Sequence, residues 1–226
     1  MIETVTDGAV CVVTLDRPDR RNALTPAALD ALESAVEDTE APVIYLCGAG
    51  PAFCAGADLD AVAALADRAA AEAFARRGQA VATTIAESEA VVVAGIDGAA
   101  RGGGVELALA CDVRVATPDA SFAETGATIG LFGAWGGTVR LPEVLGLGDA
   151  MDLALSGRVL DADEALRIGL VSRVVEDPRV VADEIAANDP DALRVIKNRL
   201  RDQADRETQE EREATAFGDL HADFER

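Results

Sequence analysis

The 226-residue sequence predicts an α/β fold, with short buried strands alternating with helices. Three observations carry that expectation. Val10–Leu15, Val43–Cys47, Val91–Val93 and Val113–Ala116 are short apolar runs rich in β-branched residues, as buried strands are. The stretches between them repeat apolar residues at helical spacing. Half of the residues are hydrophobic (50%) but only 4% are aromatic, and alanine is abundant, which favours closely packed helices over an all-β sandwich.

In chain order, Val10–Leu15 reads as the first strand and runs into a basic turn, Asp16-Arg17-Pro18-Asp19-Arg20-Arg21. Thr25-Pro26 is an N-cap and N1 pair for a helix reaching about Thr39. Val43–Cys47 is a strand closed by Gly48-Ala49-Gly50-Pro51. The small-residue turn Phe53–Leu59 follows and leads into helical sequence. Phe74, Gly78, Val81 and Ile85 keep helical spacing, with arginines on the opposite side. After the strand beginning at Val91 come a glycine-rich turn, a short apolar helix and the strand Val113–Ala116. Ser121–Gly137 is loop-rich and holds the single tryptophan, Trp135. Helical pieces are expected near Leu147–Leu155 and Ala162–Ile168, and a strand around Val171–Val175. A last amphipathic helix is marked by Leu193, Ile196 and Leu200, with the highly charged continuation Asp202–Glu213. There is no repeat, low-complexity linker or clear domain boundary.

Composition narrows the chemistry. No apolar run approaches the ~18 residues of a membrane span. The first ten residues lack the basic and apolar regions of a signal peptide. A cytoplasmic protein is therefore expected. Cys11, Cys47, Cys54 and Cys111 show no CxxC pairing and lie in or beside strand-like segments, which suits free thiols rather than disulfides or zinc. The single histidine, His221, lies near the C-terminus, so a Ser-His-Asp unit or a His-rich metal centre is not expected. Acid–base work must fall to carboxylates. The net charge is −21, with one lysine, Lys197. Such a surface repels nucleic acid and anionic membranes, and it suits a salt-rich cytoplasm where self-repulsion is screened.

The chemical signal is concentrated in residues 91–116. An apolar run ends at Gly95 and Gly98, and the triplet Gly102–Gly104 opens a helix with Glu106 in its first turn. Strand, glycine turn and helix N-terminus present unpaired N–H groups at a positive helix end, able to hold an oxyanion. Glycine permits close approach of a substrate to that backbone. A glycine turn used only for packing is the competing reading. Two nucleotide-binding readings fit poorly: Leu107 stands where a dinucleotide fingerprint needs its third glycine, and Lys197 is remote from any P-loop position. A second turn, from strand 43–47 through Ala57, has the same physics. Two such donors could meet at one carbonyl oxygen.

Taken together, LDRPDRRNAL (15–24), AFCAGADL (52–59), the GGGVELALACD region, Phe122-Ala123-Glu124 through Leu141, and Ala165–Val175 resemble the crotonase family, the enoyl-CoA hydratase/isomerase superfamily. The match runs in order along nearly the whole chain. It implies a crotonase-like ββα spiral core over 1–175 and a shortened C-terminal helical segment over 176–226. It also implies an acyl-CoA thioester substrate with no separate cofactor or metal, and a homotrimer or hexamer.

By position, the resemblance places the N–H groups of Ala57 and Gly103 around a thioester oxygen. Arg17, Arg20, Arg21, Ala23, Ala55, Asp58, Leu59 and Asp60 fall along the coenzyme A path, although a solvated surface turn equally accounts for the arginines. Glu106 aligns with the first catalytic glutamate of the hydratases. The second falls on Gly126, a departure from the family pattern. Glu124, two residues earlier, would face the same way in extended backbone, or else be a loop-surface charge. Leu131, Phe132 and Trp135 wall the acyl pocket or simply pack the loop. Two carboxylates in opposite protonation states favour hydration of a 2-enoyl-CoA. One carboxylate would favour double-bond isomerisation, and the missing glutamate leaves a catalytically silent acyl-CoA binder as a third reading.

Overall fold

A computed structural model of the chain describes residues 1–222 and 224. Two sheets organise it. The strands β1 (Ile2–Asp7) and β2 (Val10–Leu15) form an antiparallel hairpin turned at Gly8, whose φ is +60°. A single 3-10 turn, Pro18–Arg20, leads to helix α1 (Pro26–Glu37), capped by the Thr25 hydroxyl, which accepts from Ala28 N. Strand β3 (Val43–Gly48), the short α2 (Leu59–Ala63) and the long α3 (Arg68–Glu87) follow. Next come β4 (Val91–Ile96), β5 (Ala99–Arg101), α4 (Gly103–Ala110), β6 (Val113–Ala116) and β7 (Ser121–Ala123). The rest is α5 (Gly137–Leu145), α6 (Leu147–Ser156), β8 (Leu160–Asp161), α7 (Ala162–Arg167), β9 (Arg173–Val174), α8 (Arg179–Ala186), α9 (Pro190–Arg201) and α10 (Arg206–Ala222).

The larger sheet has the order β1-β2-β3-β4-β6-β9 and is parallel beyond the first hairpin. The smaller sheet is β5-β7-β8. The chain therefore climbs as a spiral, leaving each strand of the large sheet for a strand or bridge of the small one and then for a helix. Parallel strands need covered faces, and the composition supplies them. Every residue of β4 is buried. The inner face packs against α1, α3 and α4 through Leu29, Leu32, Val81, Ile85 and Leu107, and the outer face packs Tyr45, Val91 and Val115 against Val181 and Ala182 of α8.

Three elements differ from the sequence expectation. Strand β1 was not expected: all its residues but Ile2 are exposed, so no alternation of apolar residues marks it. The strand expected around Val171–Val175 pairs only at Arg173 and Val174, while Val171 turns into the core. The charged continuation after α9 is a separate helix. Asp202 breaks the run by accepting from Ala204 N and pairing with Arg199 and Arg212, and α10 restarts at Arg206. Among the described residues no helix is long and apolar enough to cross a membrane.

Candidate active site

The two glycine turns meet. Segment 52–57 forms isolated parallel bridges on both sides, Cys54 with Ala100 and Ala57 with Leu24. A Cβ placed on Gly56 would lie 2.7 Å from Gly103 N and 2.8 Å from Arg101 O, so only glycine allows the loops to touch there. Gly56 also has φ +81°. The neighbouring amides of Leu24, Asp58, Arg101 and Gly102 are all bonded across these turns. The N–H groups of Ala57 and Gly103 have no acceptor among the described residues. Buried or half-buried amides are seldom left so. Both residues line one cavity of about 300 Å³.

Glu106 and Glu124 line the same cavity and are nearly closed to solvent, at 2% and 4% exposure. Glu106 Oε1 and Glu124 Oε2 lie 3.0 and 3.2 Å from the point where a Cβ on Gly133 would stand, so the two carboxyl groups converge on one small space. Their surroundings differ. Glu106 Oε1 accepts from Trp135 N at 2.7 Å and from Gly137 N, the first residue of α5, at 2.6 Å. Burial raises its pKa above the ordinary carboxylate value, while those two amides and the Arg140 guanidinium oppose the rise. Glu124 Oε1 has no hydrogen-bond partner. Burial first, and then the charge of Glu106, push its pKa up to about 8. At neutral pH Glu124 thus retains its proton, while Glu106 accepts from two main-chain amides.

The remaining expected residues divide. Ala55, Ala57 and Leu59 line the cavity. Arg17, Arg20, Arg21, Ala23, Asp58 and Asp60 form a charged turn beside it. Arg17 Nη1 is 2.6 Å from Asp58 Oδ2 and also donates to Ala23 O, and Arg20 pairs with Asp60. Asp58 Oδ1 caps α2 by accepting from Asp60 N and Ala61 N. The Ala61 amide first and the Arg17 side chain second hold its pKa below the ordinary value. Arg21 is exposed and has no carboxylate partner among the described residues. Leu131, Phe132 and Trp135 all face the cavity.

Two contributors escaped the sequence reading. Asn22 is buried, with Nδ2 donating to the carbonyls of Ala49, Ala52 and Phe53, and Oδ1 accepting from Arg17 N. It ties the basic turn to segment 52–57. Its φ of +58° follows Arg21 at +51°, a left-handed pair that asparagine tolerates better than most residues. The signal was there: an asparagine next to a turn. The second contributor is the N-terminus of α5, opened by Gly136 and Gly137, which repeats the strand-free half of the glycine-turn pattern and holds Glu106.

Residues 5–224 match the enoyl-CoA hydratase/isomerase family. The short-chain-enoyl-CoA hydratase of Clostridium acetobutylicum is 34% identical over 94% of this chain and 86% of its own. The crotonyl-CoA hydratase of Syntrophomonas wolfei is 35% identical over 92% of this chain and 85% of its own. The crystal structure of an enoyl-CoA hydratase from Bacillus anthracis superposes with a TM-score of 0.90 at 33% identity, covering 96% of this chain and 89% of that one. One from Thermoplasma volcanium gives 0.91 at 33% identity over 98% and 92%. The fold is that of the crotonase superfamily, and the chain belongs to the enoyl-CoA hydratase/isomerase family.

Proposed function

We propose that this chain adds water across the double bond of a 2-enoyl-CoA thioester, giving a 3-hydroxyacyl-CoA. The observation that carries the reading is the convergence of two buried carboxyl groups with unlike environments on one point of a cavity lined by Ala57 and Gly103. Glu106, as carboxylate, takes a proton from water while the water oxygen bonds to C3. Glu124, carrying its proton, delivers it to C2 as the C2–C3 double bond is consumed. Proton exchange with solvent then resets the pair. Negative charge grows on the thioester oxygen, where the N–H groups of Ala57 and Gly103 would receive it. A donor so placed is worth ~10²–10³ in rate. The relatives named as hydratases support the same chemistry.

Coenzyme A would lie along Arg17, Arg20, Arg21 and Ala23 and the facing residues Ala55, Asp58, Leu59 and Asp60. The bridge between Leu24 and Ala57 supports this by joining the two segments, and Arg21 is the cation free for a phosphate among the described residues of that turn. Nothing beyond water and the thioester enters the scheme. Self-association into a trimer or hexamer is supported by Leu147, Met151 and Leu155, an exposed apolar stripe along α6. The four free thiols fit a reducing cytoplasm, and the charge of −21 fits a salt-rich one.

The test uses crotonyl-CoA and 3-butenoyl-CoA with the wild type, Glu106→Gln and Glu124→Gln. Hydration of crotonyl-CoA is expected, with Glu106→Gln losing at least ~10²-fold in kcat and Glu124→Gln a comparable amount. Turnover of 3-butenoyl-CoA alone would make the chain an isomerase, and binding of both without turnover would make it a silent binder.

A further inference from the structure

Trp135 does two things at once in this site. Its main-chain N–H is one of the two donors on Glu106. Its side chain is 3% exposed and spans the gap between two helices. The five-membered side of the indole rests on Gly78 of α3, where a Cβ would lie 2.1 Å from Cδ1. The six-membered side rests on Gly103 at the start of α4, where a Cβ would lie 2.4 Å from Cζ3. Phe74 meets the ring edge-on, with centroids 5.9 Å apart and an interplanar angle of 67°. Glycine at both ends is what lets so large a ring bridge the helices.

The ring forms part of the cavity wall, with Phe74 and Ala75 of α3 beside it. The cavity is about 300 Å³. An acyl chain long enough to reach between α3 and α4 would have to displace the indole, and packed interiors resist such insertion.

We infer that Trp135 sets the acyl-chain limit of the site, so that the thioesters it accepts are short-chain ones, while its main-chain amide positions Glu106. This rests on the acyl-thioester reading above but not on hydration itself. The main-chain amide survives side-chain substitution, so the two roles can be separated.

The test measures equilibrium binding of butyryl-CoA and decanoyl-CoA, both saturated and inert to hydration, by calorimetry with the wild type, Trp135→Phe and Trp135→Ala. Trp135 is the sole tryptophan, so its emission reports directly on acyl contact. The wild type should bind butyryl-CoA at least ~10-fold more tightly than decanoyl-CoA, the scale that pocket fit commands for small apolar groups. Its emission should shift with butyryl-CoA and not with coenzyme A alone. Trp135→Ala should move the ratio toward decanoyl-CoA by ~10-fold or more, with Trp135→Phe in between. If Trp135→Ala does not fold, Phe74→Ala, which frees one edge of the ring, should move the ratio the same way. Equal wild-type affinity for both lengths, or equal weakening of both by the substitutions, overturns the inference. Failure to bind either thioester overturns it together with the reading beneath it, whereas binding without turnover overturns hydration alone.

Discussion

Glu106 and Glu124 are the same residue type in one cavity, and only their neighbours set them apart. Burial raises the pKa of both, but two amides and the Arg140 guanidinium oppose the rise at Glu106, whereas the charge of Glu106 adds to it at Glu124. The hydration rate needs Glu106 ionised and Glu124 protonated. Activity should therefore rise through the titration of Glu106, above the ordinary carboxylate range, and fall on the alkaline side near pH 8; initial rates across pH 5–10 check this. Stability follows with a definite sign. Between the ordinary glutamate value of about 4.5 and about 8, the folded state keeps a proton on Glu124 that the unfolded chain releases. Stability should thus be highest at the acid end of that window and decline as pH rises through it, by up to ~1.4 kcal/mol per pH unit. Urea unfolding at several pH values should show a flatter profile for Glu124→Gln than for the wild type. Glu106 was legible in the sequence because a glycine triplet announced its helix start. Glu124 was legible only through its two-residue offset from Gly126. The structure gives that glycine its own reason, since a Cβ there would lie 2.7 Å from Phe132 Cα.

At the scale of elements, the strands that face two layers were legible and those that face one or none were not. β2, β3, β4 and β6 are apolar enough to declare themselves, whereas β1 is an exposed edge and β8 and β9 pair over only two residues each. The helix α9 shows the same limit. Lys197, whose burial no local pattern marks, lies beside Asp112 at 2.9 Å and donates to Ala90 O, because tertiary packing decides its place. The joining of the two glycine turns was implied only by the resemblance, since it rests on the Cys54–Ala100 bridge and on Gly56 touching Gly103, while Asn22, reaching across from the basic turn, holds segment 52–57 in place. Removing that side chain leaves the carbonyls of Ala52 and Phe53 buried without their donor. Each such group costs ~1–3 kcal/mol. Asn22→Ala should lower the urea unfolding free energy by at least ~2 kcal/mol, and kcat should fall with it because Ala57 sits on the loop that Asn22 holds. Loss of stability with unchanged kcat at a temperature where the variant is folded would detach the loop from the chemistry.

Across the whole molecule, charge sets a conflict that salt should resolve. The formal charge is −21, yet the proposed substrate carries phosphates. At 0.01 M salt the Debye length is ~30 Å, comparable with the molecule, so the summed repulsion of the surface acts on both the fold and the incoming thioester. At 1 M it is ~3 Å, and only groups in contact still feel each other. Most arginines of the structure lie in such contacts, including Arg17 with Asp58 and Arg20 with Asp60, and these pairs lose little by comparison. Thermal unfolding midpoints should therefore rise from 0.01 to 1 M KCl. The KM for crotonyl-CoA should fall over the same range, because relief of a repulsion from many carboxylates outweighs the weakening of one unpaired contact at Arg21. Initial rates at fixed pH and increasing KCl measure this directly. A KM that climbs steadily with salt would mean that the basic turn governs encounter even at this net charge, and that the acidic surface has no part in substrate capture.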